Sequence, residues 1–282
     1  MKNYLSLIKF SHTIFAMPFA LIGFFLGTQN YTFEWKTLLY VVFCMIFARS
    51  AAMAFNRYID RDIDKKNTRT SAIREIPNGT INEQNVLIFV IINSLLFIAT
   101  TYLINTLCFA LSPIALFIIL GYSYTKRFTA LCHLILGLGL ALAPIGAYLA
   151  ITSEFHLLPI LFSLSVLFWV SGFDIVYSMQ DQDFDKTQNL YSIPVLIGKK
   201  NALKLSILIH LTSIIFLAIA GSVAEFEYLY WIGFSIFSIA LIYQHTLVKH
   251  DDLSKVNLAF FKTNGFASVI FGVFVILELL VK

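Results

Sequence analysis

The stretch TLLYVVFCMIFARSAAMAFNRYIDRDID, residues 37–64, decides the fold. Its first part, 37–57, is an apolar run of the length that crosses a bilayer as a helix, about 20 residues. The run then delivers Asn56, Asp60, Asp62 and Asp64. A second long apolar run, 157–179, ends in the same manner, with Asp174, Tyr177, Asp181, Asp183 and Asp185. Only 16 of the 282 residues are acidic, and these two short stretches hold seven of them. Carboxylates at the ends of membrane helices are costly unless they meet cations, so the clustering points to a bound metal or a cationic ligand.

Working outward, the composition agrees with a membrane location: 59% hydrophobic residues, 13% charged residues and a mean hydropathy of +0.80 lie far from the average soluble domain. The expected fold is all-α, a polytopic bundle of about nine transmembrane helices around a central cavity, with residues 1–282 forming a single domain. The nine apolar spans lie near 11–29, 37–57, 84–104, 107–123, 130–151, 157–179, 203–223, 227–247 and 257–281. Only Ile104, Asn105 and Thr106 divide the third span from the fourth.

The basic residues orient this bundle, because Lys and Arg concentrate in cytoplasmic loops. With the N-terminus inside, Lys2 and Lys9 precede the first span. Arg57, Arg61, Lys65, Lys66, Arg69 and Arg74 fall in the second loop, and Lys126 and Arg127 in the fourth. Lys186, Lys199, Lys200 and Lys204 surround the sixth loop, and Lys249, Lys255 and Lys262 the eighth. Seventeen of the 20 basic residues are then cytoplasmic; Lys36 and Lys282 lie outside and Arg49 within a helix. Both carboxylate clusters emerge on that same side.

The run 11–29 follows two lysines as a secretory leader does, but it has no small-x-small cleavage signature and is retained as the first helix. Cys44, Cys108 and Cys132 are scattered, without a CxxC pair, and read as packing residues. The net charge of +4 is explained by topology and anionic lipid, so nucleic acid is not implied.

At about 100° per residue, Arg49, Asn56, Asp60 and Asp64 stay within roughly 80° of one another, while Asp62 points elsewhere. Asp174, Tyr177, Asp181 and Asp185 likewise share a face, with Asp183 turned away. Two acidic faces can thus oppose each other across a cavity, and hard oxygen ligands of this kind suit Mg²⁺ together with phosphate oxygens. The plain alternative, solvated helix ends balancing nearby Lys and Arg, suits Asp62 and Asp183. Arg49, alone in an apolar helix, is expected to face a cavity or a partner. His133, near the start of a helix beyond the basic loop, reads as a packing or interfacial histidine, with a role in acceptor binding as the alternative, and His210 and His245 carry no motif. Pro113, Pro144 and Pro159 are expected to kink or begin helices; Gly137, Gly139, Gly146 and Gly172 are expected to allow close helix packing.

These residues carry a resemblance to the UbiA superfamily of intramembrane prenyltransferases over nearly the whole chain. Asn56-Arg-Tyr-Ile-Asp60-Arg-Asp-Ile-Asp64 matches its N-x3-D-x3-D motif, and Asp174-Ile-Val-Tyr177-Ser-Met-Gln-Asp181-Gln-Asp-Phe-Asp185 its D-x2-Y-x3-D-x3-D motif, followed by Ser192, Pro194 and Gly198. Arg69-Thr70 with Arg74-Glu-Ile-Pro77-Asn-Gly79 resembles the loop after the first motif, with three residues between Thr70 and Arg74 where the family has two. Tyr122-Ser-Tyr-Thr-Lys126-Arg127-Phe-Thr resembles its basic loop. These segments look most like bacterial 4-hydroxybenzoate polyprenyltransferases and the related enzymes of menaquinone synthesis by the futalosine route.

The resemblance implies an alkyl-group transferase in the bacterial inner membrane, acting in quinone synthesis on a polyprenyl diphosphate and a small aromatic acceptor. Mg²⁺ would be held by Asp60, Asp64, Asp181 and Asp185, supported by Asn56 and Asp174. Arg69, Arg74 and Lys126 would hold phosphate oxygens. Tyr122 and Arg49 would belong to the substrate site, with Arg49 suited to the carboxylate of an acceptor. Tyr177 would touch the diphosphate or the allylic cation, and Asp174 is a candidate base. Dihydroxynaphthoate, glycerol-phosphate, haem and chlorophyllide acceptors are rival substrates. A cation transporter would place its acids near the midplane rather than at one membrane face, and the D-G-x2-A-R core of CDP-alcohol phosphotransferases is absent.

Overall fold

A computed structural model describes residues 2–8 and 16–282; Lys9 and the start of the first predicted span, 11–15, lie outside the described residues. The elements are α1 (Lys2–Leu7), α2 (Met17–Gly27), α3 (Trp35–Ile59), α4 (Arg61–Lys66), α5 (Glu83–Ile104), α6 (Thr106–Thr125), α7 (Cys132–Thr152) and α8 (Leu157–Ser178). They continue as α9 (Gln182–Thr187), α10 (Ile193–Val223), α11 (Tyr228–Leu247) and α12 (Asn264–Val281). A 3₁₀ turn, Met179–Asp181, joins α8 to α9, and a π-helical turn, Leu258–Thr263, leads into α12. No strand occurs among the described residues. A helix satisfies its own backbone, which is why apolar runs in lipid take this form.

Among the described residues, seven segments are long and apolar enough to cross a membrane: α3, α5, α6, α7, α8 with its continuation to Thr187, α10, and Leu258–Val281. The other two predicted spans correspond to α2, an apolar helix of 11 described residues, and to the 20-residue α11. The narrow boundary between the third and fourth spans is real. Asn105 adopts an extended backbone and its side chain accepts from the Cys108 amide at 2.8 Å, capping α6. Its Nδ2 donates to the Leu149 carbonyl at 2.8 Å and so ties the α5–α6 corner to α7.

Helix α8 is central, packed against α7, α10 and α2. Around it Phe19, Trp169, Phe237 and Phe271 form a buried aromatic cluster with centroid separations between 5.4 and 6.2 Å. Because lipid is as apolar as these side chains, close packing rather than water exclusion holds such helices together. Gly137 and Gly172 meet the expectation of close approach: an added Cβ would lie 2.4 Å from the Leu167 carbonyl oxygen and 2.3 Å from the His210 ring. Gly139 and Gly146 do not, having ordinary contact and open space respectively, because both face a cavity rather than a helix. His210, fitted into the notch at Gly172, bonds to the Trp169 carbonyl at 3.1 Å and to His245 at 2.8 Å. Pro113 and Pro144 lie inside α6 and α7, and Pro159 lies in the first turn of α8.

An Asn105→Ala substitution removes both the cap and the corner bond. It is expected to lower stability by about 1–2 kcal/mol, read as a lower thermal midpoint in detergent with activity per folded molecule retained.

Candidate active site

The two acidic motifs do not lie on uninterrupted helices. Helix α3 stops at Ile59, and Asp60 (φ −89°, ψ 2°) turns the chain into α4; after α8 the chain passes through the 3₁₀ turn before α9. Helical phase nevertheless survives the first break, since the Asp60 amide still bonds to the Asn56 carbonyl at 2.9 Å and that of Asp64 to Asp60 at 2.7 Å. Arg49, Asn56, Asp60 and Asp64 therefore face one polar cavity of about 600 Å³. Asp174, Tyr177, Asp181 and Asp185 reach it from the opposite side, and Arg69, Arg74, Tyr122 and Lys126 complete the predicted set on its wall. Asp62 is exposed, and Asp183 is exposed and pairs with Lys199 at 3.3 Å; neither lines the cavity.

Each central carboxylate has a cation from another segment. Lys126 Nζ donates to Asp60 Oδ2 at 2.6 Å, where Asn56 Nδ2 also donates at 3.1 Å. Arg69 forks onto Asp181, its Nε at 2.9 Å from Oδ1 and its Nη2 on Oδ2. Arg69 also donates to the Tyr177 hydroxyl at 3.3 Å and lies 5.6 Å from that ring's centroid. Arg74 Nε stands 3.9 Å from Asp64 Oδ2, so the extra residue between Thr70 and Arg74 leaves the guanidinium at the site. Thr70 Oγ1 donates to the Asp64 carbonyl at 2.9 Å, and Arg127 Nη2 to that of Ile59 at 2.7 Å. These bonds pin both basic loops to the first motif.

Burial sets the electrostatics. It pushes the Asp64 carboxyl above the usual carboxylate range, with Asp60 adding to the rise and Arg57 and Lys126 opposing it. For Arg69, burial works against the charge, but the bonds and the charge of Asp181 outweigh it and raise the guanidinium pKa. Asp60 Oδ1 and Asp64 Oδ2 are buried and accept no hydrogen bond. Each meets a cation only at longer range, Asp60 Oδ1 at 3.6 Å from Arg127 Nη2 and Asp64 Oδ2 at 3.9 Å from Arg74 Nε. Two anionic oxygens of one motif that accept no hydrogen bond suit a hard divalent cation.

Three residues of this wall escaped sequence reasoning in different ways. Arg57, grouped with the cytoplasmic loop, is buried against Asn56 Oδ1 at 3.2 Å, with its Nε unpartnered. Asn67, in a loop with no periodicity to read, donates to Asp181 Oδ1 at 3.1 Å. His133, expected to pack or to sit at an interface, is buried and bonds through Nδ1 to Asp174 Oδ2 at 2.6 Å. Aromatic lining also becomes specific: Phe173, Phe260 and Phe261 join Tyr177, whose ring centroid is 4.3 Å from that of Phe260. The π-helical turn carries Phe260 and Phe261, and such turns recur at functional sites.

The UbiA prenyltransferase family model matches residues 16–266. The chain belongs to this family. As a UbiA-family member with seven membrane-length apolar helices among the described residues, it is an integral membrane protein. It is 30% identical over 237 residues to a 4-hydroxybenzoate octaprenyltransferase of Paraburkholderia phytofirmans, covering 84% of this chain and 82% of that one. A 4-hydroxybenzoate octaprenyltransferase of Vesicomyosocius okutanii is 29% identical over 250 residues, covering 88% and 89%. Among solved structures, a UbiA homologue from Aeropyrum pernix superposes with a TM-score of 0.82 at 29% identity, covering 96% of this chain and 97% of that one. A homologue from Archaeoglobus fulgidus bound to GPP and Mg²⁺ has the same fold, with a TM-score of 0.73 at 21% identity, covering 98% and 99%.

The raised pKa of Asp64 carries a stability consequence for this family member. The folded state holds that proton more tightly than the unfolded chain, so ionised Asp64 lowers stability above the usual carboxylate range, and acidification relieves the cost. Asp64→Asn is expected to raise the thermal midpoint at neutral pH by about 1–3 °C. The gain should shrink as pH falls, when unfolding is followed in detergent without divalent ions.

Proposed function

We propose that this protein transfers a polyprenyl group from a polyprenyl diphosphate to the ring of 4-hydroxybenzoate or a related hydroxylated aromatic acid, in quinone biosynthesis. One observation carries the reading: carboxylates and cations from two distant motifs converge on a polar cavity that continues into an apolar one. The apolar chamber has a volume of about 370 Å³, and it shares Arg49, Met53, Tyr122, Leu136 and Leu140 with the polar cavity. A diphosphate head and an isoprenoid tail demand that pair of environments. The chain's likeness to the Paraburkholderia and Vesicomyosocius 4-hydroxybenzoate octaprenyltransferases supports the acceptor, and its likeness to the Archaeoglobus homologue bound to GPP and Mg²⁺ supports donor and metal.

The donor set fits Mg²⁺, with Asp60, Asp64, Asp181 and Asp185 as its ligands and Asn56 supporting them. When bound, the ion supplies Lewis-acid neutralisation of charge on the departing diphosphate. Lys126, Arg69 and Arg74 hold the phosphate oxygens, exchanging their present carboxylate partners for stronger anions. As the allylic C–O bond breaks, its electron pair leaves with the diphosphate, and the cation left behind must meet the acceptor before water. Phe173, Tyr177, Phe260 and Phe261 exclude water there and offer π-faces to the cation. Arg49, with its buried Nε unpartnered, seats the acceptor carboxylate, and Asp174 takes the proton released when the ring regains aromaticity. The chain acts as one transferase domain in the bacterial inner membrane, with lipid around it and with its N-terminus and the loops of the site facing the cytoplasm, in keeping with its basic residues.

Purified protein incubated with Mg²⁺, a polyprenyl diphosphate and 4-hydroxybenzoate should yield the prenylated acid by mass. No product with any hydroxylated aromatic acid would overturn the assignment. Asp60→Ala and Asp181→Ala should each lower turnover by at least about 10³-fold while the protein remains folded. Arg49→Ala should raise the acceptor KM by about 10- to 100-fold and leave the donor KM unchanged.

A further inference from the structure

Outside the metal-ligand set, one pair, a half-buried carboxylate and a buried histidine, is arranged for chemistry. Asp174 lies seven residues before Asp181 in sequence, about 10 Å deeper along a helix. No cation of the phosphate-binding group is bonded to it. Its partner is His133, in the first turn of α7, with Nδ1 2.6 Å from Asp174 Oδ2. The other ring nitrogen, Nε2, lies 3.3 Å from the Ile193 amide, the first residue of α10. A backbone amide can only donate, so Nε2 offers its lone pair, and the imidazole proton must be on Nδ1. That proton is donated to Asp174. The backbone on either side of the ring is fixed as well: Ser171 Oγ donates to the His133 backbone carbonyl at 3.2 Å, and Ser192 caps α10 one residue before Ile193.

The consequence is a carboxylate of fixed orientation. Oδ2 is occupied by His133, while the side chain keeps 23% of its surface open, on the cavity wall that also carries Arg49 and Tyr122. We infer that His133 is a positioning residue for the proton-transfer step: it holds Asp174 as an oriented anion whose free oxygen faces the acceptor ring. The inference rests on the proposed prenylation of an aromatic acceptor. In that step the ring carbon ortho to the hydroxyl forms the new C–C bond and its hydrogen leaves as a proton to Asp174, while the electron pair of the C–H bond restores the ring. No oxidant or further reactant is needed. The same arrangement, an acid oriented by a histidine whose tautomer is set by a third group, recurs where a proton must be moved in one direction.

Three variants test the role with ordinary and ring-deuterated 4-hydroxybenzoate. His133→Leu removes the donor, His133→Asn keeps an N–H near the Nδ1 position, and Asp174→Asn removes the base. Loss of a hydrogen bond to a carboxylate predicts a fall in kcat of about 10- to 100-fold for His133→Leu, with the donor KM unchanged. Proton removal then becomes slow, so ring deuteration should retard His133→Leu more than it retards the wild type. His133→Asn should recover most of the turnover and return the isotope effect towards the wild-type value. Asp174→Asn should lose at least as much as His133→Leu. Wild-type kcat in His133→Leu overturns the inference, as does a loss in which the isotope effect stays at its wild-type value and His133→Asn gives no rescue. Should His133→Leu fail to fold, His133→Asn and Asp174→Asn still decide it, because an Asp174→Asn enzyme with wild-type turnover removes the step that His133 serves. Failure of the underlying reading looks different: wild-type protein that prenylates no aromatic acid.

Discussion

The charge pairing of buried carboxylates at one end of an apolar bundle is the constraint on which the rest of this structure depends. A lone carboxylate at that depth is expensive, and each of the central acids is matched to a cation from another segment: Asp60 to Lys126, Asp64 to Arg74, Asp181 to Arg69. The matching is incomplete. Asp60 Oδ1 and Asp64 Oδ2 accept no hydrogen bond and meet cations only at 3.6 and 3.9 Å, which leaves both oxygens able to take a further cationic partner. The same arithmetic explains why the basic loops are pinned, through Thr70 to Asp64 and through Arg127 to Ile59: a cation that wandered would leave its acid exposed to lipid-like surroundings.

Below that charged layer the cavity becomes progressively less polar. Arg49, Tyr122 and the Asp174–His133 pair form an intermediate zone, and the chamber beyond them is lined by Leu, Ile, Ala and Met side chains. This gradient separates three tasks within one enclosed space. For the reaction proposed above, departing negative charge would sit in the charged layer, the acceptor in the middle, and the long apolar tail in the chamber. The π-helical turn before α12 serves the middle zone, since its altered register brings Phe260 and Phe261 against Tyr177. Asn264 satisfies the backbone that this turn leaves open, donating to the Ala259 and Phe260 carbonyls at 3.1 and 3.0 Å.

Much of this was legible in the chain because membrane physics simplifies reading. Apolar runs of bilayer length must be helical, and spacing of four along such a run keeps Asn56, Asp60 and Asp64 on one face even though α3 breaks at Asp60. Local reading went astray where a residue's role depends on a partner distant in sequence. His133 looked like packing because its partners, Asp174 and Ile193, lie 41 and 60 residues away. Asn67 and Arg57 gave no periodic signal, and Gly146 was expected to pack closely when it borders open space.

Hydrophobic run length, carboxylate spacing and the distribution of Lys and Arg are properties of the chain alone, and they determined an all-helical membrane architecture with two acidic motifs. Only the tertiary structure decided which cation answers which acid, which of 28 phenylalanines face the site, and that a histidine orients Asp174. The physical reason is range: helical periodicity and bilayer length act over one segment at a time, whereas ion pairing, cavity shape and tautomer choice are set by groups that meet only when segments far apart in sequence are packed together.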